Sequence, residues 1–412
     1  MALDHEQLRR RRQQRQAQRK AKQRKIMIAL ILVGVILVSC GVVIAITALR
    51  NRPQKAEQPE QETTAYVPDL TTLRLAAVGD VNITDQVVAA GGSGYDYSAL
   101  FMDVAHLLAD ADVTLANFEG TMCATPYGGK NQSAPPQFAQ SLSRAGIDCV
   151  QVANSYSMNG GLSGLRQTLS GLRGAGLIPL GAFESNEAFQ KSGGYTILEV
   201  QGVRIALVAF TKGMGGTALL EDSKDCVNLL YTDYTSTYQQ VDTEGIRAVL
   251  TAVAEEKPDV TVAMLHWGSE YNDTISNSQK SIAGLMHELG VDAIIGTHSH
   301  YVQQVQYDPE KGTLVAYSLG DFIGDAERSG SEYSIILDLE ITKDNLTGTA
   351  SITGYDYTPV FTVAEEGKPL RVVRIAEAIK AWENGFMDTV TQQTYEKMTY
   401  ALTRAKERVE GK

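Results

Sequence analysis

Leu73 to Asn82 reads LRLAAVGDVN, a short apolar run that stops abruptly at Gly79-Asp80. A strand that delivers a carboxylate to its carboxyl end reads this way, because open α/β sheets gather ligands just beyond their strand ends. The pattern recurs along the chain. Asp112–Ala116 runs into Asn117-Phe118-Glu119-Gly120, and Ile147–Ala153 into Asn154-Ser155-Tyr156. Asp259–Leu265 runs into His266-Trp267-Gly268-Ser269-Glu270-Tyr271, and Asp292–Ile295 into Gly296-Thr297-His298-Ser299-His300. Helical periods separate them at Tyr97–Leu108, Gln137–Ala145, Leu162–Arg173, Glu244–Glu256 and Ser278–Leu289. Tyr195–Val200 and Val203–Phe210, divided by Gln201-Gly202, predict a hairpin. Tyr301–Tyr307, Thr313–Ser318, Tyr333–Ile341 and Ala350–Tyr357 are β-rich with no helix between them. Alternation first and consecutive strands later predict an α/β fold of two packed mixed sheets flanked by helices.

The chain of 412 residues is 43% hydrophobic and 21% charged, a globular composition that excludes collagen-like, disulfide-framework and disordered classes. Its net charge of −11 is unevenly spread: residues 1–52 hold 12 Lys and Arg against two acids, and the remainder 25 against 46. A body this acidic would be repelled by phosphates, so nucleic acid is not an expected partner. Ten of the early cations lie in Arg9–Lys25, and Ile26–Leu49 follows without one formal charge. As a helix of 24 residues that run is about 36 Å long, enough to span a bilayer, and the positive-inside rule puts its N-terminal flank in the cytoplasm. A cleaved signal peptide is disfavoured by the length of the run. A lipobox at Leu37-Val38-Ser39-Cys40 is disfavoured by the nine apolar residues beyond Cys40.

The expected organisation is therefore a basic cytoplasmic segment (1–25), a transmembrane helix (26–49), a tether rich in Pro, Gln and Glu (50–70), an extracytoplasmic domain (71–360) and a helical C-terminal extension (361–412). Outside the apolar run only Cys123, Cys149 and Cys226 remain, an odd number without metal-type spacing.

Three of the five histidines in the domain lie at strand ends. His298-Ser299-His300 places two rings on one side if the strand period of two continues through it. With His266, Asp80 and Glu119 they form a mixed N/O donor set suited to Mn, Fe or Zn, as one ion or two, and to metal-assisted hydrolysis. The plainer alternative is that these residues hydrogen-bond one another and brace loop bases. His106 and His287 fall on helices and read as structural. The Gly-rich stretches lack the Lys-Ser/Thr of a phosphate loop, and no nucleophile elbow follows a strand.

The strings AAVGDV, ANFEG, HWGSEY, GTHSHYVQ and YSLGDF occur in this order between residues 73 and 323. Together they resemble the CapA family of capsule-biosynthesis proteins. The resemblance implies a calcineurin-like metallophosphatase fold, a four-layer αββα sandwich preceded by one transmembrane helix. It also implies a role in poly-γ-glutamate capsule synthesis or export, with an anionic cell-surface polymer or its synthase complex as partner. By the same resemblance Asp80 is the first-strand metal ligand, Glu119 the bridging acid, and His266, His298 and His300 the histidine ligands. Asn154 would offer an amide oxygen one residue out of register. His266, Glu270 and Asn117 are the expected catalytic groups, with Trp267 shaping the site.

The third motif departs from the family's Ala-Asn-Asn-His. Here it is Ala153-Asn154-Ser155-Tyr156, and an unperturbed phenol (pKa near 10) is no substitute for a histidine acid. Asp321 stands where the family has Asn in the last string. An acidic body would also repel polyglutamate unless metal or local basic groups compensate.

Overall fold

The computed structural model describes residues 66–412 apart from Asp325, Glu327 and Asp388. The basic segment, the expected transmembrane helix and most of the tether lie outside the described residues. Among the described residues no helix is long and apolar enough to cross a membrane. Leu70–Lys412 forms one compact unit.

Its first half alternates as predicted. Strands β1 (Leu70–Asn82), β2 (Val113–Glu119), β3 (Cys149–Gln151) and β4 (Ile178–Leu180) are interleaved with helices α1 (Asp85–Ala89), α2 (Ala105–Asp110), α3 (Pro136–Ala145) and α4 (Gly161–Gly174). Next come α5 (Asn186–Ser192), β5 (Tyr195–Val200), β6 (Val203–Thr211), α6 (Thr243–Glu255), β7 (Val260–His266), α7 (Asn277–Glu288) and β8 (Ala293–Thr297). The tail of the domain is mostly strand: β9 (Val305–Asp308), β10 (Thr313–Ala316), β11 (Asp321–Ile323), β12 (Tyr333–Asp344), β13 (Ala350–Val363) and β14 (Arg371–Arg374). Helices α8 (Ile375–Glu383) and α9 (Gln392–Glu410) close the chain.

One sheet runs β14-β13-β12-β1-β2-β3-β4 with β11 beside β1, and the other runs β5-β6-β7-β8-β10-β9. Both are mixed, as predicted. The β1–β4 and β6-β7-β8-β10 runs are parallel, and β12, β5 and β9 flank them antiparallel. Every residue of β2 and β7 is buried, as a parallel strand covered on both faces must be. Alternate residues sort between the two covers. Val81, Ala116 and Phe118 pack with Phe138, Leu165 and Leu169 of the helices on the first sheet, and Ala263, Leu265 and Trp267 with Ile246, Ile282 and Met286 on the second. The opposite faces meet each other. Gln151 on β3 reaches across, its amide nitrogen 3.1 Å from the Phe210 carbonyl oxygen and 3.4 Å from that of Met264.

The β5–β6 hairpin forms as predicted, Val200 paired with Val203 and both Gln201 and Gly202 at positive φ, the type I′ geometry that suits strand twist. Two expectations need correction. The helix predicted over Tyr97–Leu108 is helical only from Ala105; Tyr97, Phe101, Val104 and Leu108 keep helical spacing and are buried, but successive turns hold the first three. The domain edge expected at residue 360 falls inside β13, and β14 then extends the sheet before α8 and α9 begin. The segment from 361 is therefore not wholly helical, because Val372 and Val373 complete the core against Phe361 and Leu100.

Candidate metal centre

The polar strand ends converge between the sheets. Asp80 and Asn82 on β1 pair laterally with Asn117 and Glu119 on β2, and the alternation that sends Val81 and Phe118 to the helices sends these four toward the second sheet. His266 ends β7 and faces back, since its neighbours Leu265 and Trp267 point outward. Asp321 opens β11 opposite Asp80. This closeness depends on Gly79, because a Cβ there would lie 1.8 Å from the Gly320 carbonyl oxygen. The Asp80 amide donates to that same oxygen at 2.9 Å.

His298 and His300 reach the cluster by a route the sequence does not show. Both follow the end of β8 in the left-handed region, at φ 89° and 59°. Their rings lie 6.2 Å apart because the backbone turns twice, not because a strand continues. Such conformations cost a non-glycine residue about 1–3 kcal/mol and concentrate at functional sites.

Two triads result. Glu119, His266 and His298 form one and Asp80, Glu119 and His300 the other; all are buried, and the ligand atoms within each lie within 4.8 Å of one another. Glu119 belongs to both. Hydrogen bonds hold the set in place. Asn117 donates to Asp80 at 2.7 Å, and the His298 amide donates to the other Asp80 oxygen at 3.1 Å. Nδ1 of His266 lies 3.2 Å from the Thr297 hydroxyl. Nδ1 of His300 lies 2.8 Å from Asp321, which also accepts from Asn82 at 2.8 Å. Asp321, the departure from the family string, thus orients a histidine, as carboxylates behind metal-binding imidazoles do. Tyr271 stacks on His300 with ring centroids 4.8 Å apart.

Burial dominates the electrostatics of the set. Burial raises Asp80 from 3.8 to about 6, the partial charge relief from His300 notwithstanding. Burial, then repulsion from Asp80, pushes Glu119 well above its ordinary value. Burial also holds His266 and His298 well below theirs, so both rings are neutral and able to offer lone pairs. His300 goes the other way: burial opposes its charge, but Asp321, Glu119 and Asp80 outweigh that and hold its pKa well above the usual range. His298 Nδ1 is buried with no hydrogen-bond partner among the described residues. Three imidazoles, one of them with the orphaned nitrogen, and two carboxylates fit a divalent ion, and two overlapping triads fit two.

Not every expected residue joins the set. Asn154 is fully buried, but its amide donates to Asn117 at 3.0 Å and to the Phe118 carbonyl at 2.7 Å, and its oxygen accepts from the Tyr156 amide at 3.0 Å. It braces β2 and the turn after β3. Glu270 is exposed in the turn after β7 and makes no hydrogen bond to the cluster. Trp267 is buried on the far side of the second sheet, its indole donating to the Tyr317 carbonyl at 2.9 Å. His106 is exposed, and His287 bonds the Val291 carbonyl at 2.7 Å.

In the third motif, Ser155 Oγ sits 3.1 Å from His266 Nε2, and the Tyr156 hydroxyl accepts from Gln132 at 2.8 Å. Burial, then the Glu119 charge, drives the Tyr156 phenol far above its ordinary pKa. It is a poor proton donor. Lys212 puts a cation within electrostatic reach of His266 and His298, donating to the Gly268 carbonyl at 2.7 Å, and burial lowers its pKa.

An α/β sandwich with a carboxylate–histidine cluster at its strand ends defines the class. The family model described as bacterial capsule synthesis protein PGA_cap matches residues 74–326, well over half of the chain, and the chain belongs to that family. The PGA biosynthesis protein CapA of Bacillus subtilis (strain 168) is 25% identical over 315 residues, covering 73% of this chain and 75% of that one. The capsule biosynthesis protein CapA of Bacillus anthracis is 24% identical over 345 residues, covering 80% and 77%. A crystal structure of a calcineurin-like phosphoesterase from Bacillus subtilis aligns over 81% of this chain and 99% of that one, with a TM-score of 0.44 and 14% identity.

Proposed function

We propose that this chain is a membrane-anchored, extracytoplasmic member of its family that hydrolyses a bond in an anionic envelope polymer of the polyglutamate type, at a divalent-metal site of metallophosphatase character. One observation carries the reading: the two buried triads share Glu119 and hold ligand atoms within 4.8 Å of one another. Asp80, Glu119, His266, His298 and His300 would hold the ions. Bound there, divalent ions supply Lewis acidity and positive charge for hydrolysis. The chain's own groups do the rest. Asn117 and the His298 amide fix both oxygens of Asp80, Asp321 fixes the His300 ring, and Thr297 fixes that of His266. Lys212 adds positive charge within reach of His266 and His298, to the benefit of an anionic substrate. Anchoring rests on the apolar run 26–49 and its basic flank, and the polymer on the names of the relatives.

A second reading, a metal-stabilised module that binds polymer or synthase without turnover, is favoured by the high-pKa Tyr156 where the family's motif carries its histidine acid. The two part on one assay. The full chain loaded with Mn²⁺ is expected to hydrolyse an aryl phosphodiester, with turnover lost in His298→Ala. Bound metal without turnover would leave the binding module standing.

A further inference from the structure

We propose that the cavity between α9 and the 273–280 segment is an oxyanion subsite that receives a carboxylate of an acidic polymer; it rests on the reading of the chain as a polymer-handling protein. Residues 53–412 carry 25 cations against 46 acids. This cavity of about 380 Å³ reverses that balance, lined by Lys280, Arg404, Arg408 and Lys412 with Asp273 its single acidic wall residue.

Arg408 is fixed in place. Its guanidinium lies 5.0 Å from the Tyr301 ring centroid and 5.5 Å from that of Tyr333, and one nitrogen is 3.2 Å from Asp273. Nε and Nη1 are buried without a hydrogen-bond acceptor among the described residues. Lys280 is exposed at the mouth and makes no ion pair among the described residues. Among the described residues Arg404 ion-pairs with Glu407 and Lys412 with Glu410, partly exposed local contacts of little worth. Ammonium and guanidinium groups gathered in one concavity raise the local concentration of anions.

The cavity also adjoins the metal centre. Tyr271 stacks on His300 and meets the Tyr301 ring edge-on at 6.0 Å, and Tyr301 lies under Arg408. A polymer with a carboxylate on every residue, presenting one bond at the histidines, carries neighbouring carboxylates along this aromatic row into the basic wall. Local cations then compensate the repulsion of the acidic body.

The test uses the full chain and a fluorescent γ-linked glutamate oligomer at low ionic strength. Lys280→Glu with Arg404→Glu is expected to weaken oligomer binding about tenfold, with the difference shrinking as salt is added. The charge-matched pair Lys191→Glu with Lys368→Glu, on exposed lysines elsewhere, is expected to leave affinity near wild type. Thermal midpoints of both variants check that they fold. Equal affinity in all three proteins overturns the proposal. So does displacement of the oligomer by inorganic phosphate at matched charge, which would make the cavity a free-phosphate site. The charge-reversal effect on binding without any metal uptake or turnover would keep the subsite and sink the hydrolase.

Discussion

Replacing Asp80 with Asn should separate what the cluster does for function from what it does for stability. Asp80 is fully buried, and its carboxyl pKa is raised from 3.8 to about 6, chiefly by burial. A shift of that size corresponds to roughly 3 kcal/mol between the two protonation states. The folded protein binds this proton more tightly than the unfolded chain does. In the metal-free protein the associated stability is therefore full below about pH 4 and is lost as the pH rises through about 6. The amide introduced by Asp80→Asn does not titrate, so the stability of the variant relative to wild type should rise between about pH 4 and about pH 7, by about 3 kcal/mol from this carboxyl and further through Glu119, whose pKa Asp80 also raises. The variant also loses the bond from the His298 amide, about 1 kcal/mol at every pH, which leaves that slope untouched. Urea unfolding of chelator-treated protein across this range measures the slope directly. Mn²⁺ at about 100 times its Kd should then add about 2.7 kcal/mol to wild type and almost nothing to the variant. A pH-independent difference, or equal stabilisation of both proteins by metal, would show that Asp80 neither carries this proton nor holds the ion.

Further expectations rest on other contacts. Gln151→Leu removes the amide donor that the Ala153, Phe210 and Met264 carbonyls share, and should cost about 2–4 kcal/mol in urea unfolding; a loss under about 1 kcal/mol would mean the bridge between the sheets is dispensable. Asp321→Asn removes the charged acceptor behind His300 and should weaken metal binding by about tenfold or more in equilibrium dialysis. Unaltered affinity would show that Asn82 alone can position the ring. Ser155→Asn with Tyr156→His restores the family's third motif, and should raise aryl phosphodiester turnover by about a hundredfold if an absent acid is the limiting defect. No rise in a folded, metal-loaded double variant would place the limitation elsewhere.

The sequence reveals the architecture where one physical signal dominates. Buried parallel strands are continuous apolar runs, so β1, β2, β7 and β8 stand out, and Gln201-Gly202 marks its hairpin through turn chemistry. β4 and β11 are only three residues long and leave no periodic trace. β14 is four residues directly ahead of an amphipathic helix, and its identity comes from pairing with β13 rather than from local preference. In the site, charged and imidazole side chains at strand ends are visible because apolar runs end in them. Asn82, Gln151 and Thr297 are not, since a neutral polar residue in a strand gains its meaning from a partner over a hundred positions away. Asn154 and Glu270 show the opposite case. Their residue types suit chemistry, but one amide is engaged in bracing β2 and the other side chain faces solvent. Both histidines of the pair reach the cluster, but through two left-handed turns in place of the assumed strand.

Glu119 is the residue on which the account turns, since both triads share it. The most direct test is the metal content of the purified, Mn²⁺-loaded full chain by mass spectrometry, for wild type, His298→Ala and Glu119→Gln. His298→Ala is expected to deplete one triad and Glu119→Gln both, with each variant still folded. Glu119→Gln protein that is folded and carries as much metal as wild type would contradict a shared centre at these residues.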